Sequence, residues 1–197
     1  QIYYYRAKCR DITMTESGWS TTVVHSQQDA SPPTVPLPPI DPGVYTSSTT
    51  VRFSWSPATD AVSYVATYGF QVGTWSGIVG NVLTKTVTGR NGDRLYARLW
   101  ARDAVGNTSA WSAYSDGILI DTAAPSAPGT PTDQGAMTAS SAVRFSWLPA
   151  SDVGTSASGV ANYELWVGTS KGAKNVFSGF IGGTNATVTG QHNQTLY

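Results

Sequence analysis

Large apolar residues alternate with small polar ones in short runs along the whole chain, and Gly, Pro, Asn and Asp break the runs at close intervals. In "TTVRFSWSP" (49–57), Val51, Phe53 and Trp55 fall on one side and Arg52, Ser54 and Ser56 on the other. A period of two is the mark of a half-buried strand, and no stretch carries the 3.6-residue period of an amphipathic helix. The predicted class is therefore all-β. "VSYVATYG" (62–69) predicts a second strand with Tyr64, Ala66 and Tyr68 inward. "ANYELWVG" (161–168) predicts another, with Tyr163, Leu165 and Val167 inward and Trp166 outward. In "LYARLWARDAVGN" (95–107), Leu95, Ala97, Leu99 and Ala101 share one face, and Tyr96, Arg98, Trp100 and Arg102 share the other. "DAVGN" then supplies turn residues, with Gly106 and Asn107 suited to positive φ. The segment from Ala110 to Ile120 is expected to return as the partner strand.

The pattern repeats. Setting Asp11 against Asp103 gives an offset of 92 that also pairs Arg6 with Arg98, Arg10 with Arg102, Trp19 with Trp111 and Asp29 with Asp121. The same offset carries "VRFSWSPATD" (51–60) onto "VRFSWLPASD" (143–152). Beyond Asp152 the later copy inserts "VGTSASG", after which Tyr163 is expected to answer Tyr64. "VTGRNGDRLY" (87–96) then answers "VTGQHNQTLY" (188–197) at an offset of 101. A repeat of this length, with turn signals about every ten residues, predicts tandem β-sandwiches. The expected divisions are 1–30, the last two strands of a preceding module; 31–122, a complete module; and 123–197, the first strands of a third, incomplete one. On this reading the modules are out of phase with the chain ends. The incomplete end modules are then expected to be closed by strand addition, residues 1–28 docking on residues 132–197 of an adjacent copy or segment. Each module is expected to end in a Pro-rich join, "DASPPTVPLPP" (29–39) or "DTAAPSAPGTP" (121–131), which stiffens the passage to the next.

Charge removes several functions from consideration. Charged residues make up 12% of the chain and balance to a net charge of zero, without a basic run, so the electrostatic footprint of a nucleic-acid binder is missing. No apolar stretch approaches the roughly 20 residues needed to span a bilayer, and no membrane insertion is expected of this segment. Cys9 is the single cysteine, which excludes an internal disulfide framework. Its counterpart Ala101 predicts a small buried side chain. An abundance of Thr, Ser, Gly and Pro, with few Lys and Glu, is the habit of secreted all-β proteins.

Together, "FSW" on an early strand, Tyr on the next, "LYARLWARDAVGN" and "SAWS" resemble the fibronectin type III module, in the form common in bacterial and archaeal surface proteins. The resemblance covers the whole chain and implies an extracellular or cell-surface location. It implies little about function, since this sandwich hosts many roles. Family members often begin the sixth strand with a Tyr that bonds back to the backbone. Tyr3 fits that place, whereas Leu95 and Leu196 stand in it in the later copies. In cytokine-receptor modules of this family, indoles of a Trp-Ser-x-Trp-Ser segment stack between arginines of the neighbouring strand. "WSAYS" (111–115) is similar, with Tyr114 in the second aromatic place. A ladder of Arg98, Arg102 and Trp111, repeated by Arg6, Arg10 and Trp19, is the implied arrangement. Trp100 or Trp166 as an aromatic ligand platform is the competing use of these residues.

Catalytic chemistry finds little support. Nucleophilic catalysis asks for a His beside a Ser or Cys. The two histidines, His25 and His192, have Gly117 and Asn91 as counterparts and read as surface residues. Asp60, Asp103, Asp121 and Asp152 are candidates for a glycosidase-like carboxylate pair, but each sits in a turn or linker signature where Asp accepts local backbone hydrogen bonds. The chain also resembles bacterial Ig-like adhesin repeats, in which linker and turn aspartates hold calcium between domains; that resemblance makes calcium the more serious cofactor candidate, with Asp103, Asn107 and Asp121 as oxygen donors. Three sequons, at Asn107, Asn185 and Asn193, are candidate glycosylation sites. The function these residues favour is a non-enzymatic structural module of an extracellular repeat array (surface filament, sheath, stalk or adhesin), with copies of itself or neighbouring modules joined head to tail. The alternative is a spacer or carbohydrate-binding accessory module of a secreted polysaccharide-degrading enzyme, with surface glycans as partners.

Overall fold

The computed structural model describes residues 2–21 and 24–197, with the side chains of Val24 and His25 outside that description. The expected surface position of His25 therefore falls outside the described residues. Strands and loops account for all of those residues, and no helix occurs among them. They form two compact units: residues 1–44, 50–88 and 94–118 in the first, and residues 45–49, 89–93 and 119–197 in the second.

The first unit contains β1 (Ile2–Tyr5), β2 (Val24–Gln27), β4 (Thr50–Ser54), β5 (Val65–Val72), β6 (Trp75–Gly80), β7 (Thr84–Thr88), β8 (Arg94–Leu95) and β9 (Ala97–Asp103). β4 and β7 pair antiparallel, and Ile40, at the end of the Pro-rich segment, bridges to Ser54 on the open edge of β4. The facing sheet has the order β6-β5-β9, all antiparallel. Val51, Phe53 and Trp55 point inward from the first sheet, and Ala97, Leu99 and Ala101 from the second, each at most 5% exposed. Rings close the gap between the layers: Trp55 stacks on Phe70 at 5.3 Å, Phe53 lies 5.8 Å from Phe70, and Trp55 meets Tyr68 edge-on at 5.9 Å. Such contacts add about 0.5–1.5 kcal/mol each beyond the area they bury.

One predicted alternation breaks. Tyr68 is buried as expected, but Tyr64 is 67% exposed and Val65 takes the inner place. The cause is a bulge between Val65 and Thr67 in the pairing with β9. An extra residue reverses which side chains face the core upstream of it. The bulge also corrects the repeat: the counterpart of Tyr163 is Tyr68, not Tyr64. The Tyr68 hydroxyl accepts from the Ala58 amide at 2.9 Å, and the Tyr163 hydroxyl accepts from the Ala150 amide at 3.1 Å. Each ring stands edge-on to a buried indole, Tyr68 to Trp55 and Tyr163 to Trp147.

At the start of the chain, β1 and β2 pair antiparallel, and every residue from 2 to 21 is exposed. Cys9 is exposed with them, contrary to its expected burial. Its counterpart Ala101 is fully buried because β9 has a second sheet beneath it, whereas among the described residues the Cys9 segment has no such cover.

The second unit contains β3 (Tyr45–Thr46), β11 (Ala142–Ser146), β12 (Tyr163–Val167), β13 (Phe177–Ile181) and β14 (Asn185–Thr189). β3 pairs in parallel with β10 (Ile118–Ile120), Tyr45 opposite Leu119. β11 pairs with β14, and β12 with β13. Phe145, Trp147, Leu165, Val167 and Val188 form its core, with Tyr163, Phe177 and Ile181 packed around them.

Replacing Tyr68 with Phe removes the hydrogen bond between this ring and the loop at Ala58. The expected loss is about 0.5–1.5 kcal/mol of unfolding free energy, while Tyr64→Phe stays within about 0.5 kcal/mol. Urea denaturation of both variants checks the assignment.

Candidate functional site

The outer edge of β9 carries the first feature of interest. The segment from 110 to 117 is not the expected return strand. In its place, Ser109, Ser112 and Ser115 meet Ala101, Leu99 and Ala97, each serine making two hydrogen bonds to its partner. The serine amides donate to the three carbonyls at 2.9, 2.8 and 2.8 Å. The serine hydroxyls accept from the three strand amides at 2.9, 3.1 and 3.1 Å. A segment with the three-residue period of a polyproline II helix thus satisfies a strand with a period of two. A hydroxyl can do this because it accepts and donates at once. Ser109 and Ser112 pass their protons to the carbonyls of Ala110 and Ala113, at 2.9 and 2.7 Å. Ser17 and Ser20 repeat the arrangement with Cys9 and Ala7, the Ser17 and Ser20 amides donating at 2.9 and 2.8 Å.

The same three-residue period puts Trp111 and Tyr114 side by side, and Arg98 reaches between them. Its guanidinium lies 4.6 Å from the indole centroid and 4.7 Å from the phenol, while its Nε donates to Gln71 at 2.7 Å. Trp100 meets Trp111 edge-on at 6.3 Å. Arg6 stacks on Trp19 at 4.5 Å, with Lys8 on the same ring at 5.1 Å. The two remaining arginines of the expected ladder are placed otherwise. Arg10 pairs with Glu16, its Nε donating at 2.6 Å, and Arg102 is exposed, with its backbone bridged to Thr108. Contacts of this kind contribute about 0.5–1 kcal/mol at exposed sites. The platform candidates have partners as well, although Trp166 stays 47% exposed. Trp100 lies across Gly69, and Trp166 carries Lys174 over its ring at 4.8 Å while donating to Glu164 at 2.8 Å.

The second feature is a join of linker and loops. Pro33, Pro36 and Pro39 are buried, so the Pro-rich segment lies on the sandwich it enters. Asp103, 2% exposed, accepts on Oδ1 from the amides of Val105, Gly106 and Asn107 at 3.0, 2.6 and 2.8 Å. Asn107 Nδ2 donates to Asp103 Oδ2 at 2.8 Å and to the carbonyls of Asp29 and Ser31 at 3.3 and 3.4 Å. A glycan on that nitrogen would replace one of its two hydrogens and disrupt these bonds. Asn185 and Asn193 are exposed, Asn185 at the head of β14 and Asn193 in a turn at φ 59°. Of the expected calcium donors, Asp103 and Asn107 thus meet. Asp121 belongs to the second unit and accepts from the amides of Ser158 at 2.8 Å and Ala123 at 3.1 Å. Two carboxylates absent from that expected set join Asp103: one oxygen from each of Asp29, Asp60 and Asp103 lies within 4.8 Å of the others. The offset of 92 carries Asp29 to Asp121 and Asp60 to Asp152, but it pairs many other residues too and did not mark these two.

Burial is the largest single influence on Asp103 and pushes its carboxyl up. The hydrogen bonds from the Asn107 side chain and the amides of Gly106, Asn107 and Val105 together outweigh it and hold the carboxyl below the ordinary range. Asp60 is held low chiefly by the amides of Ser63 and Val62, against burial and the like charge of Asp103.

Strand arrangement defines the class. The linker bridge, β4 and β7 form one layer, and β6, β5, β9 and the serine segment form the other, which is a fibronectin type III-like β-sandwich. No protein-family model and no curated protein matches the chain. Among solved structures it is similar to the FN1–FN3 domains of chicken CNTN1, at 14% identity and a TM-score of 0.45, over 94% of this chain and 65% of that one. It is also similar to chitinase ChiA74 from Bacillus thuringiensis, at 21% identity and a TM-score of 0.40, over 87% of this chain and 30% of that one. The chain thus spans less than two thirds of either.

Two expectations follow from the site. A Cβ at Gly69 would sit 2.0 Å from the Trp100 ring, so Gly69→Ala is expected to cost about 1–3 kcal/mol, and adding Trp100→Ala is expected to recover part of it in a double-mutant cycle. Asp103 has a depressed folded pKa, so its stabilisation is complete above the unfolded value of about 3.9 and disappears as pH falls through the lower folded value. Thermal unfolding between neutral pH and strong acid is expected to show a steep loss below about pH 4 that Asp103→Asn flattens.

Proposed function

We propose that the chain is a non-enzymatic structural module of an extracellular repeat array, such as a surface filament, sheath, stalk or adhesin, with modules following one another head to tail. The observation that carries this reading is a clasp that recurs at both joins. Thr34 donates its amide to the Thr59 carbonyl at 2.8 Å and accepts the Thr59 amide on Oγ1 at 2.9 Å. Ser126 and Ser151, each 92 residues on, form the same pair at 2.8 and 2.9 Å. Each Pro-rich linker is therefore bonded to the sandwich it leads into. A bonded linker sets direction, which a load-bearing array needs, whereas a free tether sets only reach.

The outward aromatics support the same reading. Sugar-binding surfaces offer bare rings, and here Trp111, Tyr114 and Trp166 each carry a cation. Copies of the chain or neighbouring modules are the proposed partners, and the paired, exposed tyrosines of β1 offer them an apolar edge.

Electron microscopy of the native particle, labelled with an antibody against the module, tests the proposal. Label spaced regularly along a filament or surface layer is the expected result. Label on a detached soluble particle with polysaccharide-degrading activity, together with retention of the purified chain on chitin or cellulose, would overturn it in favour of an enzyme accessory.

A further inference from the structure

One edge of β12 has no strand beside it. Among the described residues β12 pairs with β13 alone, whereas its counterpart β5 lies between β6 and β9. The layer beneath is thinly covered as well: Tyr163 and Val143 are half-buried, where their counterparts Tyr68 and Val51 are 1% and 0% exposed. At the end of β12 the amides of Gly168 and Tyr197 donate to each other's carbonyls at 3.2 and 2.9 Å, one rung of an antiparallel ladder. Its register is that of β5 on β9. Gly168 and Tyr197 answer Gly73 and Tyr96, the pair next after Val72 and Ala97.

The segment after β1 presents the complementary edge. Ala7 and Cys9 are bonded on one side to Ser20 and Ser17, as Leu99 and Ala101 are to Ser112 and Ser109. On β9 the other side belongs to β5, but among the described residues no strand occupies that side of residues 6–10. Tyr5, Ala7 and Cys9 are the counterparts of Ala97, Leu99 and Ala101, the inward row of β9, and all three are exposed.

Size and charge say which strand fits β12. Gly69 stands opposite Trp100, and a Cβ at Gly69 would sit 2.0 Å from that ring. In the same register Glu164 takes the place of Gly69 and Lys8 the place of Trp100. Both members of the pair have changed together: a side chain that would collide with an indole meets an ammonium of opposite charge. One rung on, Trp166 takes the place of Gln71 and faces Arg6, the counterpart of Arg98. Trp166 is 47% exposed, and an indole face suits a guanidinium.

We propose that residues 5–9 of a second copy of the chain add to the edge of β12 as an antiparallel strand, Lys8 opposite Glu164 and Arg6 opposite Trp166. Tyr4 of the incoming copy, the counterpart of Tyr197, takes over the rung at Gly168. The mode is strand addition, in which main-chain bonds supply affinity and side-chain pairs select the partner. β9 of another copy is excluded, because its Trp100 would meet Glu164. One edge gives and a different edge receives, so the contact is heterologous and each copy can take up the next. The inference rests on the array reading and names the partner and the register of its head-to-tail contact.

Sedimentation velocity of the 197-residue chain in reducing buffer, from dilute to millimolar concentration, tests the proposal. The expected result is growth from monomer to dimer and longer species, with alkylation of Cys9 slowed about tenfold or more as they form. Lys8→Glu and Glu164→Lys each set like charges opposite one another and are expected to weaken association about tenfold or more, while the variant carrying both changes recovers it. Both positions are exposed, and an unchanged circular dichroism spectrum shows that the single variants keep their fold. A chain that stays monomeric at millimolar concentration overturns the pairing, and so does a monomer whose Cys9 is protected at every dilution. Association that neither single variant weakens, or that the double change does not recover, overturns it too and leaves the array reading standing on other faces. The array reading fails separately, on the position of the label in the electron micrographs.

Discussion

Strand β9 has to satisfy a row of buried backbone amides along its outer edge, and most of the outer surface of the first sandwich follows from how it does so. A second strand would answer with its own amides and carbonyls at a period of two. Here the partner is a segment of period three, and serine hydroxyls supply the acceptors that its backbone cannot bring into register. With serines at every third place facing in, Trp111 and Tyr114 are brought into line facing out. The arginine between them is a consequence of the spacing rather than a separate device. Because Ser17, Ser20, Arg6 and Trp19 reproduce the pattern in a segment whose side chains are all exposed, it does not require the sandwich beneath it.

The joins obey the same requirement by different means. Proline removes amide donors from the linker and fixes its path. Two of the remaining donors, at Thr34 and Ser126, are matched by carbonyl groups of the loops they cross, whose amides their hydroxyls accept in return. Asn107 adds side-chain bonds to the linker carbonyls of Asp29 and Ser31, so the turn that closes β9 also holds the linker. Asp29, Asp60 and Asp103 are drawn to one point because each anchors a loop that ends there. The join thus brings three carboxylates together, which is why they bear on its stability.

Residue pattern alone was enough for much of the fold. Val51, Phe53 and Trp55, and Ala97, Leu99 and Ala101, alternate without interruption, and all six are buried. The Arg98–Trp111 and Arg6–Trp19 contacts were within reach because the motif "SAWS" and its offset of 92 are local in sequence. The fates of Arg10 and Arg102 were not, since an exposed arginine goes to whichever partner the backbone brings near, and for Arg10 that is Glu16. The inward turn of Tyr68 in place of Tyr64 was hidden for a different reason. A bulge is a property of two strands paired together, and "VSYVATYG" carries no sign of where β9 will slip.

Sequence by itself determined the all-β class and the inward faces of the strands that carry Val51, Phe53 and Trp55 and Ala97, Leu99 and Ala101, because alternation and turn chemistry are short-range and act residue by residue. Tertiary structure alone decided three things: that the segment after Asn107 runs as a serine-bonded ladder and not a strand, that Tyr68 answers Tyr163, and that Asp29 and Asp60 meet Asp103. Each depends on which backbone groups are left unsatisfied once distant segments have paired. That balance is settled only when the two layers close on Phe53, Trp55 and Phe70.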